Sequence, residues 1–171
     1  LLFMSALGQA AGKIKVACVG NSVTYGYGIP DRERKCYPSV LQQRLGAGYE
    51  VKNFGHSGTT LLNQGHRPYR EQTEYRDALA FKADLVVIHL GLNDTDPRNW
   101  PNYNSLFDKD YQQLIGSFRA ANPNAKIWIC LMSPIFDRHP RFESGTRDWH
   151  AAIQRHIQRI ARTNATGLID L

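Results

Sequence analysis

Five short apolar runs, separated by segments with helical spacing, constrain this chain more than any other feature. The runs cover residues 13–19, 49–53, 84–90, 126–132 and 167–171, and the intervening pattern predicts helices over 37–45, 72–81, 107–121 and 147–163. Strands that alternate with helices are joined by crossovers, so neighbouring strands run parallel. The unbroken Leu85-Val86-Val87-Ile88 suits a central strand buried on both faces. Within 107–121, Tyr111, Leu114, Ile115 and Phe118 recur at helical spacing, and Asn122-Pro123-Asn124 stops the helix. In the last helix Trp149, Ile153, Ile157 and Ile160 share one face, which leaves Arg147, Arg155, Arg159 and Arg162 on a solvated one.

The economical outcome is one α/β domain over residues 12–171, a three-layer α/β/α sandwich, flavodoxin-like, around a parallel five-stranded sheet. With 42% hydrophobic and 21% charged residues the composition excludes a disordered chain. No stretch reaches the roughly 20 apolar residues that a membrane span needs. Residues 1–11 are small and apolar and read as the remnant of a signal peptide, which implies a secreted or periplasmic protein. The three cysteines have no pairing rhythm and no metal-binding spacing. Cys18 and Cys130 lie in apolar runs and are expected to be buried, while Cys36 is the one candidate for an exposed thiol. A formal charge of +6 admits an acidic partner, but the arginines are scattered, which argues against nucleic acid.

Chemistry enters where the first three runs end. Gly20-Asn21-Ser22-Val23-Thr24-Tyr25-Gly26 places Ser22, a candidate nucleophile, directly after the first strand. Asn53-Phe54-Gly55-His56-Ser57-Gly58 follows the second, and Gly91-Leu92-Asn93-Asp94 the third. Singly, each is ordinary turn chemistry. In this order and at these strand ends, the three resemble the first three sequence blocks of the SGNH hydrolases, also called the GDSL esterase family. Ser22 matches the serine of that name, Gly58 the glycine and Asn93 the asparagine.

The resemblance implies ester hydrolysis through an acyl-enzyme on Ser22. It also implies an oxyanion hole built from the backbone N–H groups of Ser22 and Gly58 and the side-chain amide of Asn93, with neither cofactor nor metal. Asn53 is expected to brace the second loop and Asp94 to order the third. Asn21 stands where the family usually has Asp, and still offers an oxygen to orient the turn. The family's Asp-x-x-His segment is missing. His56, His66, His89, His139, His150 and His156 are the only histidines, and none follows an Asp by three positions. His89, ending an apolar strand, is expected to be a hydrogen-bonded core residue. Truncation is the expectation for the base: the Asp-x-x-His segment follows Leu171, at once or after an inserted further domain.

Gly26-Tyr27-Gly28-Ile29, Cys36-Tyr37-Pro38 and Asp84-Leu85-Val86-Val87 extend the resemblance over most of the chain. The pattern looks most like the exported bacterial carbohydrate esterases, the acetylxylan and sialate O-acetylesterase-like enzymes, which implies an acetylated carbohydrate substrate. Loops 24–36 and 95–106 are longer than their connections need, so Tyr27, Arg32, Trp100 and Tyr103 are candidates to line the substrate mouth. Trp100 fits a packed loop anchor equally well. Within the family, a lysophospholipase or thioesterase is the alternative, and it requires an apolar acyl groove. Outside enzymes, the alternatives are a glycan-binding module without a base and a flavodoxin-like phosphate cradle at Ser22-Val23-Thr24. The cradle leaves Gly58 and Asn93 without a purpose.

Overall fold

The computed structural model of the chain describes residues 12–135 and 146–171. The signal-peptide reading of residues 1–11, His139 and the side chain of Arg147 lie outside what is described. Strands β1 (Ile14–Gly20), β2 (Tyr49–Gly55), β3 (Leu85–His89), β4 (Lys126–Cys130) and β5 (Gly167–Ile169) form one sheet in the order β2-β1-β3-β4-β5. Every neighbouring pair is parallel. The helices are α1 (Ser22–Tyr25), α2 (Arg32–Lys35), α3 (Tyr37–Leu45), α4 (Thr73–Phe81), α5 (Trp100–Tyr103), α6 (Phe107–Ala121) and α7 (Thr146–Thr163). Each strand and helix expected from the sequence pattern is present, and the short α1, α2 and α5 lie in or beside the two long loops.

Side chains alternate across a strand, so the sheet has two distinct faces. Ala17, Val19, Val86, Ile88, Ile127 and Ile129 turn to one face, in a single core with Phe81 of α4, Leu114 and Phe118 of α6, and Ile153 and Ile157 of α7. This accounts for the helical spacing read in the last two helices, whose Arg155, Arg159 and Arg162 are exposed. On the other face α3 packs against β2, and an apolar groove of about 420 Å³ runs among Val23, Tyr37, Leu41, Val87, Cys130 and Ile169. The result is the three-layer α/β/α sandwich.

Two expectations fail inside this packing. Cys36 is buried, because α2 folds back so far that the Cys36 Cβ and the Arg32 side chain crowd Gly26. Its sulfur meets Ser39 Oγ at 3.2 Å and Asn53 Nδ2 at 3.6 Å. All three cysteines are thus free and buried, and burial pushes the thiols of Cys18 and Cys130 up to about 12. His89 is a core residue as expected, but its Nε2 has no hydrogen-bond partner among the described residues. Burial lowers its pKa to about 4, so the ring is neutral at pH 7.

The strand order reverses between β1 and β3, and in such sheets the crevice at the carboxyl ends of those strands is where ligands bind. Because β1 lies between β2 and β3, the loops that leave these three strands are neighbours. The loop after β2 is held by carboxylates from elsewhere. Asp94 accepts the Leu61 N–H at 2.9 Å and the Leu62 N–H at 2.8 Å, and Asp110 accepts the Asn63 N–H at 2.8 Å. Asp94 therefore orders the second loop and not chiefly its own, as the sequence suggested.

Burial raises the Asp94 carboxyl from 3.8 to about 7, against the pull of its N–H partners toward the anion. A raised pKa means that the folded state holds this proton more tightly than the unfolded chain does. The stability it contributes is complete below about pH 4 and is lost as pH rises through about 7. Asp94→Ala leaves two buried N–H groups unmet and should cost about 2 kcal/mol or more in urea unfolding. The gap between parent and variant should be widest at pH 4 and should narrow toward pH 8; a gap that widens with pH contradicts the assignment.

Candidate active site

Ser22 is half-buried and is the first residue of α1. The chain can turn so abruptly after β1 because Gly20 has no side chain: any Cβ there would collide with Thr24 and with the His89 carbonyl. Asn21 caps α1, its Oδ1 accepting the Val23 N–H at 3.0 Å. An Asp at this position would offer the same oxygen, so the departure from the family pattern keeps the bond that shapes the turn. The amide nitrogen that comes with Asn is buried and has no partner among the described residues. The helix closes after one turn at Gly26, in the left-handed region at φ 87°, whose N–H returns to the Ser22 carbonyl at 2.9 Å.

The second loop is drawn against the first. The His56 N–H bonds the Gly20 carbonyl at 2.9 Å, which extends the sheet ladder by one rung. Asn53 braces the corner as expected: its Oδ1 accepts the Gly55 N–H at 2.9 Å and its Nδ2 donates to the Tyr25 carbonyl at 3.4 Å. Gly58 has φ +82°, a conformation that favours glycine, and a methyl added there would also lie 3.1 Å from Arg67 Nη1.

The third loop locks onto the second. Asn93 is buried, and one of its amide hydrogens goes to the Thr59 carbonyl at 2.9 Å. Asn99, also buried, donates to the Asn93 carbonyl at 2.8 Å and accepts the His66 N–H at 2.9 Å. Ser22, Gly58 and Asn93 thus stand on three hydrogen-bonded loops at adjacent strand ends.

The four residues proposed for the mouth divide. Tyr27 is 76% exposed. The Arg32 guanidinium lies 4.0 Å above the Tyr25 ring and donates to the Tyr25 carbonyl at 3.2 Å. Trp100 is only 6% exposed and packs edge-on against Phe107 and His156, so it is the anchor of its loop and not an open lining residue. Tyr103 is half-buried against the same core.

Four of the five described histidines have side-chain partners elsewhere. His56 Nδ1 lies 3.0 Å from Glu74 Oε2, and the His66 ring meets Asn99. The His150 Nε2–H donates to the Ser133 carbonyl at 3.1 Å, and His156 Nδ1 lies 2.6 Å from Asp108. His89 faces the apolar groove. Among the described residues no group of three or more acidic, histidine or cysteine side chains is placed to hold a metal, and no helix is long and apolar enough to cross a membrane.

Sequence reasoning missed Arg67, Asn99 and Asp110. Each is an ordinary polar residue by type, and only the fold shows which main-chain atom it holds.

Comparison with known proteins agrees with this fold. Residues 18–171 match the GDSL-like lipase/acylhydrolase family. Over 140 residues, 72% of this chain, the sequence is 53% identical to an acetylxylan esterase of Xylanibacter ruminicola. The match takes in 29% of that relative, so the chain spans less than a third of its length. A carbohydrate acetylesterase from Sinorhizobium meliloti shares the fold at a TM-score of 0.73 and 22% identity, over 92% of this chain and 84% of that one. An aryl esterase of M. smegmatis does so at 0.68 and 23% identity, over 91% and 83%. With its family match running from the middle of β1 to the last residue, and with Ser22, Gly58 and Asn93 at the ends of β1, β2 and β3, the chain belongs to the GDSL-like lipase/acylhydrolase family.

Proposed function

We propose that this chain carries the nucleophile and oxyanion hole of a serine esterase that removes O-acetyl groups from carbohydrate. The observation behind the reading is the joining of three strand-end loops, with Ser22 on the middle one and the other two tied together through Asn93 and Thr59. In the proposed reaction Ser22 Oγ bonds to the acyl carbon and its proton passes to a base. The carbonyl oxygen becomes negative and is met by the N–H groups of Ser22 and Gly58 and by the Asn93 amide. Collapse of this intermediate breaks the bond to the sugar oxygen, which leaves with a proton. Water then repeats the sequence on the acyl-enzyme and releases acetate.

The base is assigned to the histidine of an Asp-x-x-His segment later in the polypeptide than Leu171, as the family resemblance implies. The assignment is supported by the described histidines, which are held by Glu74, Asn99, Ser133 and Asp108 or are buried beside Val87. A carbohydrate acetate is favoured by the likeness to the Xylanibacter enzyme.

One observation favours a second reading. The groove beside Val23 is lined almost entirely by apolar side chains, which suits a long acyl chain. The full-length protein should hydrolyse p-nitrophenyl acetate faster than the octanoate; the reverse order moves the function to a long-chain acyl ester or thioester.

Two substitutions test the chemistry. Ser22→Ala should abolish turnover and also labelling by an organophosphate. Asn93→Ala should lower kcat by roughly 100-fold with little change in KM, since the lost bond is strongest in the transition state. A change confined to KM would remove Asn93 from the oxyanion hole.

A further inference from the structure

Arg67 stands outside the family's named residues, yet its side chain lies on the second loop beside Gly58. Its Nη1–H donates to the Ser57 carbonyl at 3.1 Å. The carbonyl of Ser57 and the N–H of Gly58 belong to one planar peptide group, so a partner bound to the oxygen fixes the direction of the N–H as well. We infer that Arg67 is a positioning residue for the oxyanion hole, orienting and polarising the Ser57–Gly58 peptide through its carbonyl. The inference rests on the esterase reading and deepens it.

Three observations carry it. First, this peptide lies where regular structure has ended: β2 stops at Gly55, the last ladder bond is from the His56 N–H, and Gly58 sits at φ +82°. Its plane therefore depends on local partners. Second, the Arg67 backbone is fixed. Its carbonyl accepts the Thr60 N–H at 2.8 Å, and the Tyr69 N–H returns to the Thr60 carbonyl at 2.9 Å. The loop thus doubles back and holds the Arg67 side chain over Gly58, where a Cβ would lie 3.8 Å from both Cδ and Cζ. Third, Arg67 is exposed and pairs with no carboxylate among the described residues, so its charge is not locally neutralised.

A hydrogen bond from an ionised donor is stronger than a neutral one, and bonds in series polarise one another. A cation on the Ser57 oxygen withdraws electrons from the amide and makes the Gly58 hydrogen a better donor. The gain matters when the acyl oxygen becomes negative, so it falls on kcat and not on substrate affinity.

The test uses the full-length enzyme with p-nitrophenyl acetate. Arg67→Met should keep the melting temperature and KM of the parent and lose about 10-fold in kcat, a part of the 100-fold or more that a whole oxyanion donor contributes. Arg67→Lys, which restores a cation without the planar fork, should recover part of that loss. A rise in KM at constant kcat would mean that Arg67 touches substrate and would overturn the positioning role. Unchanged kinetics in Arg67→Met, alongside inactive Ser22→Ala, would overturn the inference and leave the esterase reading standing. Activity that survives Ser22→Ala would overturn the esterase reading itself. Should Arg67→Met not fold, Arg67→Lys decides alone: kcat falls by about 3-fold or more at constant KM, or the inference is wrong.

Discussion

The loop after β2 is held by little regular structure beyond an isolated bridge between Thr60 and Pro68, and the candidate site depends on how its main-chain groups are satisfied. Two consecutive residues of the third loop supply three of these bonds. Asn93 gives a hydrogen to the Thr59 carbonyl, and Asp94 receives the N–H groups of Leu61 and Leu62. The third loop therefore grips the second by both donors and acceptors within four residues. A buried carboxylate is costly unless N–H groups converge on it, and here the converging groups are those of the segment that carries Gly58. The same bonds that offset part of the desolvation cost also set the geometry of the site.

This arrangement explains what was legible in the sequence. Strands and helices could be read because burial imposes a period: 2 on half-buried strands, 3.6 on amphipathic helices, and none on β3, whose Val86 and Ile88 are buried on one face of a sheet flanked on both sides. Ser22, Gly58 and Asn93 could be read from their order after successive strands. Arg67, Asn99 and Asp110 could not, because they act on main-chain atoms 10, 33 and 47 residues away. Every residue carries such atoms, so the partner leaves no mark on residue type. Cys36 and Trp100 were open for a related reason. Whether a loop residue faces solvent or core is decided by how the loop folds back, as α2 does over Gly26 and α5 does against Phe107.

Close approach is the second constraint. A Cβ at Gly55 would overlap the Tyr25 backbone, so the end of β2 and the end of α1 are in main-chain contact. Gly20 is equally crowded, with the His89 carbonyl on one side and Thr24 on the other. Ser22 is thus set between two points where only hydrogen fits. Its backbone is placed by the dense packing of β1, β2 and β3, and not by the long loops around it. Those loops are free to vary the rim while the serine stays where the strands put it.

The three buried cysteines lead to a different kind of consequence. With the thiols of Cys18 and Cys130 raised to about 12, only about one molecule in 10⁵ carries a thiolate at either position at neutral pH. In the folded protein Cys18 and Cys130 are therefore nearly inert to disulfide exchange. Before folding, the same thiols are ordinary and accessible, with pKa near 8.5. Whether the chain survives an oxidising environment is then a race between the collapse of β1 and β4 into one sheet and the first mixed disulfide. Once the sheet closes, the race is over, because the strands shield the sulfurs that would have mispaired.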